Sequence, residues 1–237
     1  MNKNNTNPSY YAFFDVDGTL IKGKPMLDFL QFYYREQFGN SVIIGEFFYQ
    51  WYLLKAKLSM MLGSTREFLN KHYYRCYKNV PANLLDELGK KWFTQKINQQ
   101  TNIYVSNVLD AMIQHQLNGA DIVLVSGSFF ACLSSFAEKF NIKHVLATIL
   151  EEKNNKLTGE ILAPQTIGEG KAQAVRLFLA NQNFTHYQHC YAYGDHMSDV
   201  PMLSLVGHPY VVGGDKEIVD YAKSKGWKII NHINKSK

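Results

Sequence analysis

Four short apolar runs, each emptying into a polar or glycine-rich turn, constrain this chain more than any other feature. They are Tyr10 to Val16 (YYAFFDV) before Asp-Gly-Thr, Ile122 to Val125 before Ser-Gly-Ser, Cys190 to Tyr193 before Gly-Asp, and Tyr210 to Val212 before Gly-Gly. Runs this short and this apolar read as buried strands. Apolar residues also recur at three-to-four spacing over Val105 to Gln116, Phe129 to Phe140, Lys171 to Asn181 and Lys216 to Lys225, which is the period of a helix. Strand alternating with helix predicts an α/β fold with a doubly wound, Rossmann-like parallel sheet. Sheets of this kind bind ligands beyond the carboxyl ends of their strands, where the polar turns converge.

Two segments break the alternation. Residues 22–98 intervene after the first strand, carry 16 of the 33 aromatic residues and look mostly helical. They predict a cap domain inserted into a core made of residues 10–21 and 99–237. Val145 to Leu162 reads as two strands around Lys153-Asn-Asn-Lys156, a hairpin flap. Residues 1–9 are polar, lack the apolar stretch of a secretory signal and read as a disordered leader.

Charge and composition narrow the function. The formal net charge is +5, and the segment 22–98 holds twelve Lys and Arg against six Asp and Glu, so the excess belongs to the expected cap. No helix-turn-helix or finger signature accompanies it, and no nucleic-acid partner is expected. The most apolar run, Val42 to Leu54, has 13 residues interrupted by Glu46 and Gln50. Roughly 20 are needed to span a bilayer, so no transmembrane segment is expected. Three scattered cysteines, Cys76, Cys132 and Cys190, suggest neither a disulfide framework nor a zinc site. They fit a reducing, cytoplasmic setting; oligomeric state is not legible.

Asp15-Val16-Asp17-Gly18-Thr19 places two carboxylates two residues apart at the end of the first strand, on one side if the extended geometry persists. Asp195 and Asp199, in Gly194-Asp-His-Met-Ser-Asp199, form a second acidic pair at another strand end. If these turns meet, four carboxylates share one site. Such a cluster repels itself, and a bound phosphate more so, unless a divalent cation and a fixed positive group are present. Magnesium suits hard oxygen donors. Lys171 opens a predicted helix, where its charge opposes the helix dipole unless an anion lies nearby. Ser126 and the Gly127 amide stand where a strand meets a helix N-terminus, a natural seat for phosphate oxygens. Each feature also has a plainer reading. Asp15 to Thr19 could be a solvated turn, Asp199 a helix cap, Lys171 a surface lysine, and His196 a residue lining the entrance.

Taken in order, Asp-x-Asp-Gly-Thr (15–19), Ser126, Lys171 and Gly-Asp-x-x-x-Asp (194–199) resemble the four motifs of the haloacid dehalogenase superfamily. The helical insertion, Leu157-Thr-Gly-Glu160, Gly168-Glu-Gly-Lys171 and Tyr193-Gly-Asp195 look like its phosphoserine-phosphatase-like branch, over about residues 10–230. The resemblance implies a magnesium-dependent phosphatase acting on a small phosphorylated metabolite. Asp15 would attack phosphorus to form an aspartyl-phosphate, and Asp17 would act as general acid and base. The metal would be held by the Asp15 carboxylate, the Asp17 main-chain carbonyl, Asp195 and Asp199. Gly18, Thr19, Ser126, Gly127 and Lys171 would bind the phosphoryl group. True dehalogenases lack the second aspartate, so Asp17 favours phosphoryl chemistry.

Phosphoserine phosphatases carry an acidic residue shortly after the first motif, whereas this chain reads Lys22-Gly-Lys24. A substrate other than phosphoserine is therefore expected, with Lys22, Lys24 and Arg66 as candidate contacts. Phosphoserine phosphatase proper, a phosphotransferase or mutase using the same intermediate, and a non-catalytic phospholigand or membrane-surface module are the alternatives.

Overall fold

The computed structural model describes residues 8–39, 41–99, 103–213 and 215–231. The expected leader, apart from residues 8 and 9, lies outside the described residues, as does the end of the core segment beyond 231. Six parallel strands form the central sheet in the order β3-β2-β1-β6-β7-β8. They are β1 (Tyr11–Phe14), β2 (Asp121–Phe129), β3 (His144–Thr148), β6 (Tyr191–Gly194), β7 (His208–Val212) and β8 (Lys228–Ile230). The antiparallel pair β4 (Leu150–Lys153) and β5 (Lys156–Ile161) stands apart as a hairpin.

β1 is buried along its whole length, which is why it shows no polar alternation. Ala12 and Phe14 face one core with Ile122 and Leu124, while Tyr11 and Phe13 face the other with Val123 and Val125. The first core is completed by α5 (Ser106–Leu117) and α6 (Phe130–Lys139). The second is completed by α7 (Glu169–Asn181), the short α8 (Val200–Leu203) and α9 (Lys216–Lys225). Asp215 caps α9 by accepting from the amides of Glu217 and Ile218, and left-handed Gly226 ends it.

Between β1 and α5 the chain forms α1 (Pro25–Gln37), α2 (Val42–Met61), α3 (Arg66–Arg75) and α4 (Ala82–Gln99). The aromatic residues of this segment are mostly core: Phe29, Tyr73, Tyr74 and Tyr77 are fully buried and gather around Phe129 at the end of β2. α4 lies so close to α6 that a Cβ at Gly89 would sit 2.0 Å from the Ala131 carbonyl oxygen, so only glycine permits this crossing. α2 differs from the rest. Its apolar residues are spread around the helix, with Glu46, Gln50, Lys55 and Lys57 among them; it buries only Gly45 and Tyr49 and leaves Phe47, Trp51, Leu54 and Leu58 exposed.

Three elements depart from expectation. The hairpin expected over Val145–Leu162 divides: His144–Thr148 joins the main sheet beside β2, and only β4 and β5 form the flap. Its turn sits at Asn154 and Asn155, both with φ above zero, as a two-residue hairpin requires. β2 runs through Ser126-Gly-Ser to Phe129 with a register shift in that stretch, where a turn is expected after Val125. β8 carries no sequence signal, since its three residues fall short of a readable period. Among the described residues no helix is long and apolar enough to cross a membrane. All three cysteines are free.

Candidate active site

The strand order reverses between β1 and β6, and their carboxyl ends open a crevice at that point. Phe14 stacks on Tyr193 with ring centroids 4.3 Å apart, and the Asp15 amide donates to the Tyr193 carbonyl at 2.9 Å. These contacts hold the Asp15 and Asp195 strand ends side by side. Just beyond, Gly18 adopts φ +88°, and a Cβ there would fall 2.2 Å from Asp195 Oδ2. Glycine is thus required twice over, by backbone conformation and by the approach of the two loops.

Asp15, Lys171 and Asp199 are buried together. The Lys171 ammonium donates to Asp15 Oδ1 at 2.5 Å and to Asp199 Oδ1 at 2.6 Å. Lys171 belongs to the first turn of α7, where the positive end of the helix dipole is offset by these two carboxylates. The other Asp199 oxygen accepts from the amides of Asp195 and His196, both at 3.1 Å, so capping and clustering coexist. The Thr19 hydroxyl faces Asp15 Oδ2 at 3.2 Å and Asp195 Oδ1 at 3.4 Å. Asp17 Oδ1 is buried with no hydrogen-bond partner.

The electrostatics follow from the count of charges, four carboxylates around one buried ammonium. Burial opposes the Lys171 charge, but Asp15 and Asp199 outweigh it and hold the ammonium above its ordinary range. Burial raises Asp15, with Lys171 opposing and Asp199 reinforcing the shift. Burial, then the Asp15 charge, pushes Asp17 up to about 7 against the pull of Lys171 and Arg66. Asp195 rises to about 8 through burial and its neighbours Asp15 and Asp199. One more cation would relieve all of these shifts. Carboxylate oxygens of Asp15, Asp195 and Asp199 lie within 4.8 Å of one another, and hard oxygen donors at that spacing fit a magnesium ion.

A carboxylate whose folded value is raised binds protons more readily folded than unfolded. Its ionisation therefore removes stability as pH rises from the ordinary range near 4 toward 8. Asp195→Asn, neutral throughout, should melt a few degrees higher than the parent at pH 8 with chelator, and magnesium should stabilise it less. Equal melting temperatures in calorimetry would contradict the charge-repulsion account.

The remaining expected site residues divide. Ser126 is buried two residues past the Phe14–Leu124 pair, and its hydroxyl accepts from the Ser128 amide at 3.0 Å. Gly127 packs so tightly that a Cβ would lie 2.6 Å from Ile167. Its carbonyl accepts from Asn70, Tyr74 and Thr148, at 3.2, 2.5 and 3.0 Å. These three donors fix the loop's orientation, with Gln165 bracing Asn70 at 2.8 Å. None of the four is legible as a site residue, because α3, β3 and the segment before α7 meet this loop only in three dimensions. Arg66 donates to Ser198 Oγ at 3.3 Å and, with Lys24, lines a cleft beside the carboxylates. Lys22 does not line it. His196 does, and its Nδ1 accepts from the Ser198 amide at 3.0 Å.

Known proteins resemble this chain in sequence or in fold. The chain is 27% identical over 229 residues to a protein of Mycobacterium tuberculosis named a probable phosphatase, covering 93% of this chain and 74% of the relative. It is 28% identical over 225 residues to a phosphoserine phosphatase of the same organism, covering 92% and 69%. A crystal structure of a Bordetella pertussis Tohama I protein of unknown function shares the fold, with a TM-score of 0.81 at 20% identity, covering 94% of this chain and 99% of that one. The model of haloacid dehalogenase-like hydrolases matches residues 12–204, so the chain belongs to that family.

Proposed function

We propose that this hydrolase is a magnesium-dependent phosphatase of a small-molecule phosphate monoester, working through an aspartyl-phosphate on Asp15. The observation that carries the reading is the buried Asp15–Lys171–Asp199 cluster at the strand-order reversal, with Asp17 and Asp195 beside it. Family membership and the names of the two mycobacterial relatives support it. The helices α1 to α4 act, in this reading, as a cap that selects the substrate.

An Asp15 carboxylate oxygen attacks phosphorus in line, and the bond to the leaving oxygen breaks. Asp17 gives that oxygen its proton, and then takes one from the water that cleaves the acyl phosphate. Asp17 Oδ1 is buried with no hydrogen-bond partner, which leaves that oxygen free for both transfers. Lys171 holds the phosphoryl oxygens through its ammonium, and the Gly127 amide and Ser126 hydroxyl complete their seat. Gly18 and Thr19 shape the loop over which the group passes. Magnesium, held by the Asp15 carboxylate, the Asp17 carbonyl, Asp195 and Asp199, would compensate the charge gathered by cluster and phosphate together.

Phosphoserine is disfavoured as substrate. Its ammonium needs a carboxylate, and the cleft beside the site is lined by Lys24, Lys57 and Arg66 with no Asp or Glu among its described lining residues. A panel of phosphate esters should release inorganic phosphate with magnesium and none with chelator, and phosphoserine should rank low. Absence of release from every ester would overturn the phosphatase reading. Transfer to added alcohols in preference to water would instead identify a phosphotransferase.

A further inference from the structure

The cleft that meets the site at Arg66 and His196 has a volume of about 690 Å³. Its wall is apolar: Leu27 from α1, Tyr52, Leu53, Ala56 and Met60 from α2, and Leu69 from α3. A sugar, amino-acid or nucleoside leaving group placed against that wall would give up hydrogen bonds to water and find few replacements. An apolar body would lose nothing and release ordered water. Unbranched methionine adapts to chains of differing shape, and Met60 and Met61 both line the cleft.

The cations are arranged to match. Lys24, Lys57 and Arg66 are exposed at the margin of the cleft, where they draw an anionic head toward the carboxylate cluster that would otherwise repel it. Arg66 links the two regions, donating to Ser198 beside Asp199 while lining the cleft. Apolar surface also continues outward from the cleft along α2. Met60 and Met61 are 62% and 75% exposed, so a body longer than the cleft still meets apolar side chains.

From this juxtaposition we infer that the substrate is an amphiphilic phosphate monoester whose apolar alkyl or aryl body lies in the cleft between α1, α2 and α3. The inference rests on the phosphatase reading for what happens to the ester, but not for how the ester binds. Binding and turnover are therefore measured separately.

Titrating the magnesium-loaded full chain with ethyl-, butyl- and octylphosphonate, which cannot be hydrolysed, reads the cleft by calorimetry. Affinity is expected to rise at least about tenfold from ethyl to octyl, since two fully buried methylenes alone are worth roughly that factor. Leu53→Gln, which makes the wall polar, and Ala56→Phe, which narrows the cleft, should each reduce the octyl-to-ethyl ratio. Two variants guard against one failing to fold. Equal affinity for the three phosphonates overturns the inference, as does a ratio unchanged in both variants, which would place the chain elsewhere on α2. Hydrolysis of p-nitrophenyl phosphate in the same preparations tests the other reading. Chain-length-dependent binding without turnover of any ester upholds the cleft and overturns only the phosphatase assignment.

Discussion

Asp15→Asn is expected to lower phosphate-ester hydrolysis by about 10⁴-fold or more while leaving the fold intact. The substitution is nearly isosteric and removes the atom assigned to bond phosphorus. An amide oxygen can still accept from Lys171, and Thr19 keeps its neighbours, so the local hydrogen bonds survive in number. Stability should hold or rise, because one of four clustered negative charges is gone and Lys171 keeps Asp199 as its partner. Phosphate release under single-turnover conditions, with the melting temperature measured alongside, checks both halves. If turnover persisted within tenfold of the parent in a folded variant, Asp15 could not be the nucleophile, and attack by a bound water would take its place. Asp17→Asn should differ in kind, being most severe for esters with poor leaving groups, since only those need a proton as the bond breaks.

What could be read in the sequence, and what could not, divides along the distance over which each contact is made. The placement of Asp15 follows from the apolar run Tyr10 to Phe14 ending in a turn, a local pattern. Lys171 followed from a charge that disfavours its own helix position, and Asp195 with Asp199 from spacing after a strand. Each is a statement about a few neighbouring residues, and each brought its side chain to the common crevice. The parallel order itself follows from alternation, because parallel strands need a crossover.

The misses are long-range. His144–Thr148 has the composition of a hairpin strand, yet it pairs with β2, and nothing within five residues says which partner wins. The grip of Asn70 and Tyr74 on the Gly127 carbonyl joins residues more than fifty positions apart. Lys22 and Lys24 look equivalent in sequence. The Lys22 amide, however, is tied to Ile103, while Lys24 stands at the start of α1 facing the cleft. The apolar wall was hidden for a different reason: the apolar residues of α2 are spread around the helix rather than gathered in one stripe, so its sequence does not mark the face that lines a cavity.

Lys171→Met should be the most damaging single substitution for the folded chain. It retains length and packing but removes the only ammonium ion-paired with the buried Asp15 and Asp199 among the described residues. Two buried carboxylates then face each other and Asp195 without a counter-charge. Breaking a buried pair from one side costs about 3–5 kcal/mol, which for a chain of this size lowers the melting temperature by roughly 10 °C. The pH dependence should carry a signature. Without Lys171, Asp15 loses the partner that lowers it, so its folded value stands further above the ordinary range near 4. The folded variant then binds more protons than the unfolded chain throughout the interval above 4, and its stability must increase as the pH falls through that interval. Magnesium should recover part of the lost stability at neutral pH by replacing one positive charge with another, yet not the activity, because the phosphoryl oxygens would still lack their ammonium. Thermal melts of variant and parent from pH 8 down to pH 5, with magnesium and with chelator, separate these effects. A variant as stable as the parent at pH 8 in chelator would show that the cluster is already neutralised by protonation, and that Lys171 serves phosphate binding alone.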